Sequence, residues 1–213
     1  GAAIDRLIEG HPAWSEAREL ARSRGIPVSE LLTQMLVAKA PSLSEIARVA
    51  DGIHVVPEFL GNRAPFADPH ARAVIAGLGM ERDLESLAAL YLAGICGVGY
   101  GLRQIIEAQA KAGAKAEKIV ICGGAGQSRL IRQLLADAIG KPVMASRSAE
   151  PVLLGSATLG AVAGGLFPDI LTAIGALSHP GETCLPAGGE IAGLHDRRFD
   201  AFCRLQTVAR EIR

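Results

Sequence analysis

The segment EKIVICGGAGQSRLIRQLLADAIGKPVMA, Glu117 to Ala145, constrains this chain more than any other. EKIVI (Glu117–Ile121) reads as a short buried strand. CGGAGQ makes a glycine-rich turn into a helical pattern over 128–139, with Gly140 as its C-cap, and PVMA (142–145) reads as a second strand. A glycine turn between strand and helix offers bare backbone N–H groups and the positive end of a helix dipole to a ligand, an arrangement suited to phosphate. It also serves as a plain reversal, and taken alone the motif does not choose.

The rest of the chain is mostly helical. WSEARELARSRG ends at Gly25, SELLTQMLVAKA follows Pro27, and SLSEIARVA opens with Ser42 and Glu45 at capping-box spacing, so residues 13–50 predict three short helices. GIHVVPEFL is strand-like and runs into LGNRAPFADP (Leu60–Pro69), where two prolines, a glycine and an Asp-Pro pair forbid regular structure. One long helical pattern covers Leu84 to Ala112 and is closed by Gly113. The uncharged stretch 151–165 predicts a buried core helix, followed by a shorter helix over 168–177, a loop rich in Pro and Gly (178–190), and a polar helix from about His195. Helices with a few strands between them predict an α/β class, helices covering a small sheet. Two ridges of small residues, Ala93/Gly97/Gly101 and Ser156/Gly160/Gly164, predict close packing of another backbone, or room for a ligand beside the helix.

Composition narrows the function. Lys plus Arg and Asp plus Glu are equal at 22 each, so nothing points to nucleic acid or to an anionic membrane. The segment Pro151 to Pro168 has the length of a membrane span, but its proline ends, Ser156, Thr158 and four glycines favour a soluble core. Cys96, Cys122, Cys184 and Cys203 form no CxxC pair, which suits a reducing cytoplasm better than a disulfide scaffold or a zinc site. There is no Walker A motif: the sole GK pair, Gly140-Lys141, is followed by Pro142. A dinucleotide fingerprint fails at Arg129, where its third glycine belongs, and the acid expected about 20 residues on is missing. Arg147 keeps an NADP site as a weak alternative. His11, His54, His70, His179 and His195 read as surface or loop residues; Asp51, Asp68 and Asp169 are candidate acids, each also explained by a turn or capping role.

Two stretches together resemble a known family. PEFLGNRAPFADP (Pro57–Pro69) is similar to the G-x-R-x-P-x-x-D-P loop of the FGGY carbohydrate kinases, and CGGAGQSRLIRQLLADAIGKPV (Cys122–Val143) to the adenosine-binding segment of that family. YLAGICGVGYGLRQIIEA and EPVLLGSATLGAVAGG match in type and order, and PEFLGNRAP is most similar to the ribulokinase-like branch acting on pentuloses. The resemblance implies a ribonuclease H-like/actin-like ATPase fold. A helical insertion over residues 1–50 would lead into a C-terminal nucleotide-binding domain over 51–213, and an N-terminal sugar-binding, catalytic domain would lie outside this chain.

It also implies chemistry. Family members transfer the γ-phosphoryl of ATP, with Mg2+, to a sugar hydroxyl. By position, Gly124, Ala125 and Gly126 would pack backbone against the nucleotide, and Ser128 would lie near the adenine. Gly101 stands where the family often has a polar residue, so that contact is not carried over. Arg63 and Asp68 belong to the signature loop, in contact with sugar, with phosphate or with each other, or simply holding the loop. The general-base Asp and the phosphate hairpin fall in the upstream part, so the resemblance implies partners in ATP, a small sugar and that missing domain, and no turnover by these residues alone. A non-catalytic nucleotide-binding regulatory module is the competing expectation; oligomeric state stays open, a homodimer included.

Overall fold

The computed structural model describes residues 1–148 and 150–213, and of Ala125 the backbone alone. Its centre is a 28-residue helix, α4 (Leu84–Lys111), started by the Asp83 side chain, which accepts the Ser86 N–H at 2.8 Å. Before it come α1 (Ala2–Glu9), α2 (Trp14–Ser23), α3 (Val28–Val37), a 3-10 helix (Glu45–Ala50) and an antiparallel pair, β1 (His54–Val56) and β2 (Val74–Ala76). After it come β3 (Ile119–Ile121), α5 (Gly124–Gln127), α6 (Arg129–Ile139), β4 (Val143–Ser146), α7 (Pro151–Ala163), α8 (Ile170–Leu177), β5 (Pro180–Cys184) and α9 (Gly189–Glu211).

Helix α4 is apolar on nearly every side of its first four turns, so a single wet face is impossible and it has to be surrounded. Its glycines permit this. A Cβ on Gly97 would lie 2.2 Å from the Val55 carbonyl oxygen, one on Gly99 2.6 Å from the Ala138 Cβ, and one on Gly94 2.5 Å from Leu7 Cδ2. Thus β1, α6 and α1 all press against α4 at van der Waals range, and the propensity loss of about 1 kcal/mol per interior glycine is offset by burial. Among the described residues α4 alone is long and apolar enough to span a bilayer, and it is the core helix here, with 72% of its apolar window buried. Leu7, Leu31, Leu36, Ile46, Val56, Leu92 and Leu194 share its cluster, so residues 1–50 have no core separate from the remainder.

The second layer is a three-stranded sheet in the order β3-β4-β5, with β3 parallel and β5 antiparallel to β4. Ile119 lies opposite Val143, and Val143 opposite Cys184. Helix α6 joins the two parallel strands, and Leu135, Ala136 and Ile139 cover the sheet together with Ile106 of α4.

Several expectations need correction. Helix α1 and strand β2 carry too few residues to show a period, and neither is legible in the sequence. The third short helix is a 3-10 helix, though its Ser42 does accept the Glu45 N–H at 3.2 Å. The loop expected over 178–190 contains β5, whose Pro180-Gly181 start disguises it, and α9 begins at Gly189 rather than near His195. The largest departure is α7. Expected to be a buried core helix, it buries only Thr158 and leaves Val152, Leu153 and Leu159 more than half exposed. It packs against α8, and no other described element covers its open side. Accordingly the ridge Ser156/Gly160/Gly164 is open, with nothing within 4 Å of a Cβ on Gly160, whereas the ridge through Gly97 is a packing surface.

Candidate functional site

The glycine turn is more regular than a loop. Strand β3 ends at Ile121, and Gly123 takes φ +81°, a conformation closed to ordinary side chains without strain. The Gly126 N–H then donates to the Gly123 carbonyl at 2.9 Å, so Gly124–Gln127 forms one helical turn, α5. Ser128 breaks it with φ −81° and ψ 118°, and its Oγ accepts the Ile131 N–H at 3.4 Å as the N-cap of α6. The unit is therefore strand, helical turn, break, helix.

This geometry divides the four residues carried over by resemblance. Nothing lies within 4 Å of a Cβ on Gly124, which faces an open cavity. Gly126 faces inward, where a Cβ would come within 3.0 Å of the Ile121 carbonyl oxygen; its smallness serves the strand–turn contact. Ala125 lies in α5, and its side chain falls outside the described residues. Ser128 stands on the cavity wall beside Gly124 and Gln127.

The cavity has a volume of about 560 Å3, within the range of small-molecule sites. The turn forms one wall, and Val98, Leu102 and Ile131 form an apolar floor from α4 and α6. The opposite wall comes from α1, α3 and Tyr91, whose hydroxyl lies 3.4 Å from Thr33 Oγ1. Burial pushes the Tyr91 phenol above its ordinary pKa, so at neutral pH it keeps its proton. The charged residues on the lining are Asp5 and Glu30, with no Lys or Arg among the described lining residues. A flat apolar group with polar edges suits such a space, and a polyphosphate does not.

The signature loop is held elsewhere, by α9 and the residues just beyond its C-terminal end. Asp68 receives Arg213 Nη1 at 3.0 Å and Nη2 at 2.6 Å, and this bidentate bond lowers its carboxyl pKa to about 2. The Arg210 guanidinium sits 3.4 Å from the centre of the Phe66 ring. Gln206, buried, donates to Glu58 at 2.6 Å, and Asn62 donates to the same Glu58 oxygen. Asn62 and Asp68 exchange backbone bonds of 2.8 and 2.7 Å across the loop. Arg63 and Asp68 are not bonded to each other; Arg63 is exposed and makes no hydrogen bond or ion pair among the described contacts. The loop and the glycine turn belong to different walls of the molecule, and no lining residue is shared between the loop and the cavity.

The histidine expectation also changes. His195 is buried, 1% exposed, with the Tyr100 hydroxyl 2.9 Å from its Nδ1. Burial, reinforced by Arg198 and Arg103, lowers its pKa to about 4. Asp169 and Asp51 are cap and turn formers as read, accepting the Thr172 and Gly52 N–H groups. Residues missed by sequence reasoning include Gln206, Arg210 and Arg213, and also Arg132, buried on α6. The available signal was a charged residue inside an otherwise apolar helical stripe.

Comparison with known proteins decides what the turn and the loop belong to. The profile described as "FGGY family of carbohydrate kinases, C-terminal domain" matches residues 1–164. The chain belongs to the FGGY family of carbohydrate kinases. An FGGY carbohydrate kinase domain-containing protein of Xenopus laevis is 35% identical over 211 residues, which is 99% of this chain and 38% of that protein. A D-ribulokinase of Saccharomyces cerevisiae is 34% identical over 166 residues, 76% of this chain and 23% of that one. The chain thus spans well under half the length of these relatives. Among solved structures, a xylulose kinase from Brucella ovis superposes with a TM-score of 0.70 at 20% identity, over 93% of this chain and 38% of that one. Plasmodium falciparum glycerol kinase with ADP gives 0.59 at 20%, over 86% and 36%. The fold is that of the actin-like sugar kinases, helix-rich with small mixed sheets. Among the described residues no three His, Cys, Asp or Glu side chains come together as metal ligands.

Proposed function

We propose that this chain is the C-terminal, adenosine-holding part of a carbohydrate kinase that moves the ATP γ-phosphate to a ketose, a pentulose such as ribulose being the leading acceptor. The observation that carries the proposal is the 560 Å3 cavity bounded by Gly124, Ser128 and the apolar floor of α4 and α6. It lies at the carboxyl end of β3, the edge at which open α/β sheets bind ligands. The glycine turn presents backbone to the nucleoside, Ser128 supplies a polar group at its edge, and Val98, Leu102 and Ile131 exclude water from its face.

The division of labour follows from charge. Phosphoryl transfer needs positioning, neutralisation of developing charge, and a base for the acceptor hydroxyl. The cavity carries Asp5 and Glu30 rather than cations, so it orients the nucleoside, and the triphosphate and metal are left to residues beyond this wall. We assign the general base and the sugar contacts to the part of the polypeptide that the longer relatives possess. The loop GNRAP and a relative named a D-ribulokinase support a pentulose acceptor; glycerol kinases match at similar identity, 33% over 171 residues, so the acceptor is decided by the panel below. The compartment we propose is the cytoplasm, in keeping with four unpaired thiols.

The test is a panel of D-ribulose, D-xylulose, glycerol and gluconate with ATP and Mg2+ on the full-length polypeptide. Phosphorylation of a pentulose at the highest kcat/KM is expected, and no turnover at an ordinary enzyme rate by residues 1–213 alone. The lack of cations on the cavity lining also suits a second reading, a regulatory module that binds nucleotide without using it. Nucleotide binding by the full polypeptide with no turnover on any sugar would select that reading.

A further inference from the structure

Arg132 lies in the second turn of α6 with 6% of its surface exposed, between the buried Leu130 and Leu134. Its Nη1 donates to the Gly126 carbonyl at 2.6 Å and to the Gln127 carbonyl at 3.3 Å. Its Nη2 reaches Glu182 Oε2 on β5 at 2.8 Å, and Arg129 Nε holds the other oxygen of that carboxylate at 3.0 Å. The Nε of Arg132 is buried without a partner among the described residues.

A guanidinium is a costly occupant for a buried position, and an apolar side chain would fill the volume without desolvating a charge. What the guanidinium does there is specific to the turn. The short helix α5 stops at Ser128, so the carbonyls of Gly126 and Gln127 have no helical N–H to accept from. Arg132 supplies both bonds. That holds Ser128 in its extended conformation and sets how Gly124 and Ser128 face the cavity. Glu182 in turn fixes the guanidinium, and so ties the turn to the far strand of the sheet.

We propose that Arg132 is a positioning residue for nucleoside binding, holding the Gly124–Ser128 turn in its binding shape with Glu182 as its anchor. This rests on the reading of the cavity as the nucleoside site. Breaking charge-assisted bonds of this kind corresponds to a loss of about tenfold or more in an affinity that depends on the turn.

The experiment measures ADP dissociation constants by calorimetry, and KM for ATP and for D-ribulose, on the full-length polypeptide with its Arg132→Met, Arg132→Lys and Glu182→Gln variants. Arg132→Met is expected to raise the ADP Kd and the ATP KM about tenfold while the sugar KM stays within about twofold. Arg132→Lys, which keeps one donor to the carbonyls, should recover part of that loss. Glu182→Gln, at a half-exposed position that tolerates substitution, should weaken ADP about threefold. A purely structural role would lower the melting temperature and leave the ATP-to-sugar KM ratio unchanged, which would overturn the proposal. So would wild-type ADP affinity in both Arg132→Lys and Glu182→Gln, should Arg132→Met fail to fold. A wild-type protein with no affinity for ADP would instead overturn the reading of the cavity, and the proposal with it.

Discussion

At the scale of single residues, two positions expose the terms that hold the core. Gly97 exists because β1 lies directly on α4. Gly97→Ala gains about 1 kcal/mol of helix propensity but drives a methyl into the backbone of Val55, 2.2 Å away, where no flexible side chain can yield. A net loss of about 2 kcal/mol in urea unfolding is expected; Gly101→Ala, with only Phe202 Cζ at 4.0 Å, should instead gain up to about 1 kcal/mol. Equal effects at the two sites would contradict the close approach. His195 gives the pH dependence. Its pKa in the fold, about 4, lies below the ordinary 6.5, so the unfolded chain takes up the extra proton. Its contribution is complete above about pH 6.5, falls as the pH drops, and is spent near pH 4, a change of roughly 3 kcal/mol. The difference in unfolding free energy between wild type and His195→Gln, followed from pH 7 to pH 4.5, should shrink by most of that amount. A constant difference would show that His195 is charged in the fold.

At the scale of elements, the signature loop depends on α9 for its shape. Gln206 and Arg210 of α9, and Arg213 just beyond its C-terminal end, engage Glu58, Phe66 and Asp68 in turn. Since the Asp68 pKa is depressed to about 2, the clasp is intact above about pH 4 and opens as the pH falls through about 2. Arg213→Met should return the Asp68 carboxyl to the ordinary carboxylate range in an NMR titration. The amides of Asn62 and Asp68 should exchange faster with solvent, because their mutual bonds lose the support beneath them. Unchanged exchange would mean the loop is held by its own turns alone.

The elements also show what was legible. Helix α4, β3, α6 with its αL cap at Gly140, and β4 are where the sequence places them, because apolar period, Asp and Ser caps and terminal glycines are all local signals. Strand β2 (Val74–Ala76) is three residues whose only reason to be extended is pairing with His54–Val56, some 20 residues upstream. Strand β5 likewise is extended because β4 offers it an edge, and PGETC carries no alternation to announce it.

At the scale of the whole molecule, the consequence of α7 and α8 is decisive. Val152, Leu153, Leu159, Leu166 and Leu171 all stand more than half exposed on one hairpin, an apolar patch of the kind that associates. Residues 1–213 in isolation are expected to sediment as more than a monomer and to bind a hydrophobic dye. The double variant Leu153→Glu, Leu159→Glu should restore the monomer with its far-ultraviolet circular dichroism unchanged. A wild-type monomer that ignores the dye would show the patch to be inert.

By itself the sequence determined the order of the elements from Leu84 to Leu177, the strand–turn–helix motif at CGGAGQSR and the family to which the chain belongs. The elements and the motif rest on periodicity, caps and glycines, which act between near neighbours; the family rests on the resemblance of PEFLGNRAPFADP and CGGAGQSR to its motifs. Tertiary structure alone decided that Gly124 faces a cavity while Gly126 faces Ile121, that Asp68 answers to Arg213 rather than Arg63, that Arg132 grips the turn, and that α7 lies open. Each depends on which surfaces meet across long stretches of chain, and a residue's type states what it can bond but not what it will face.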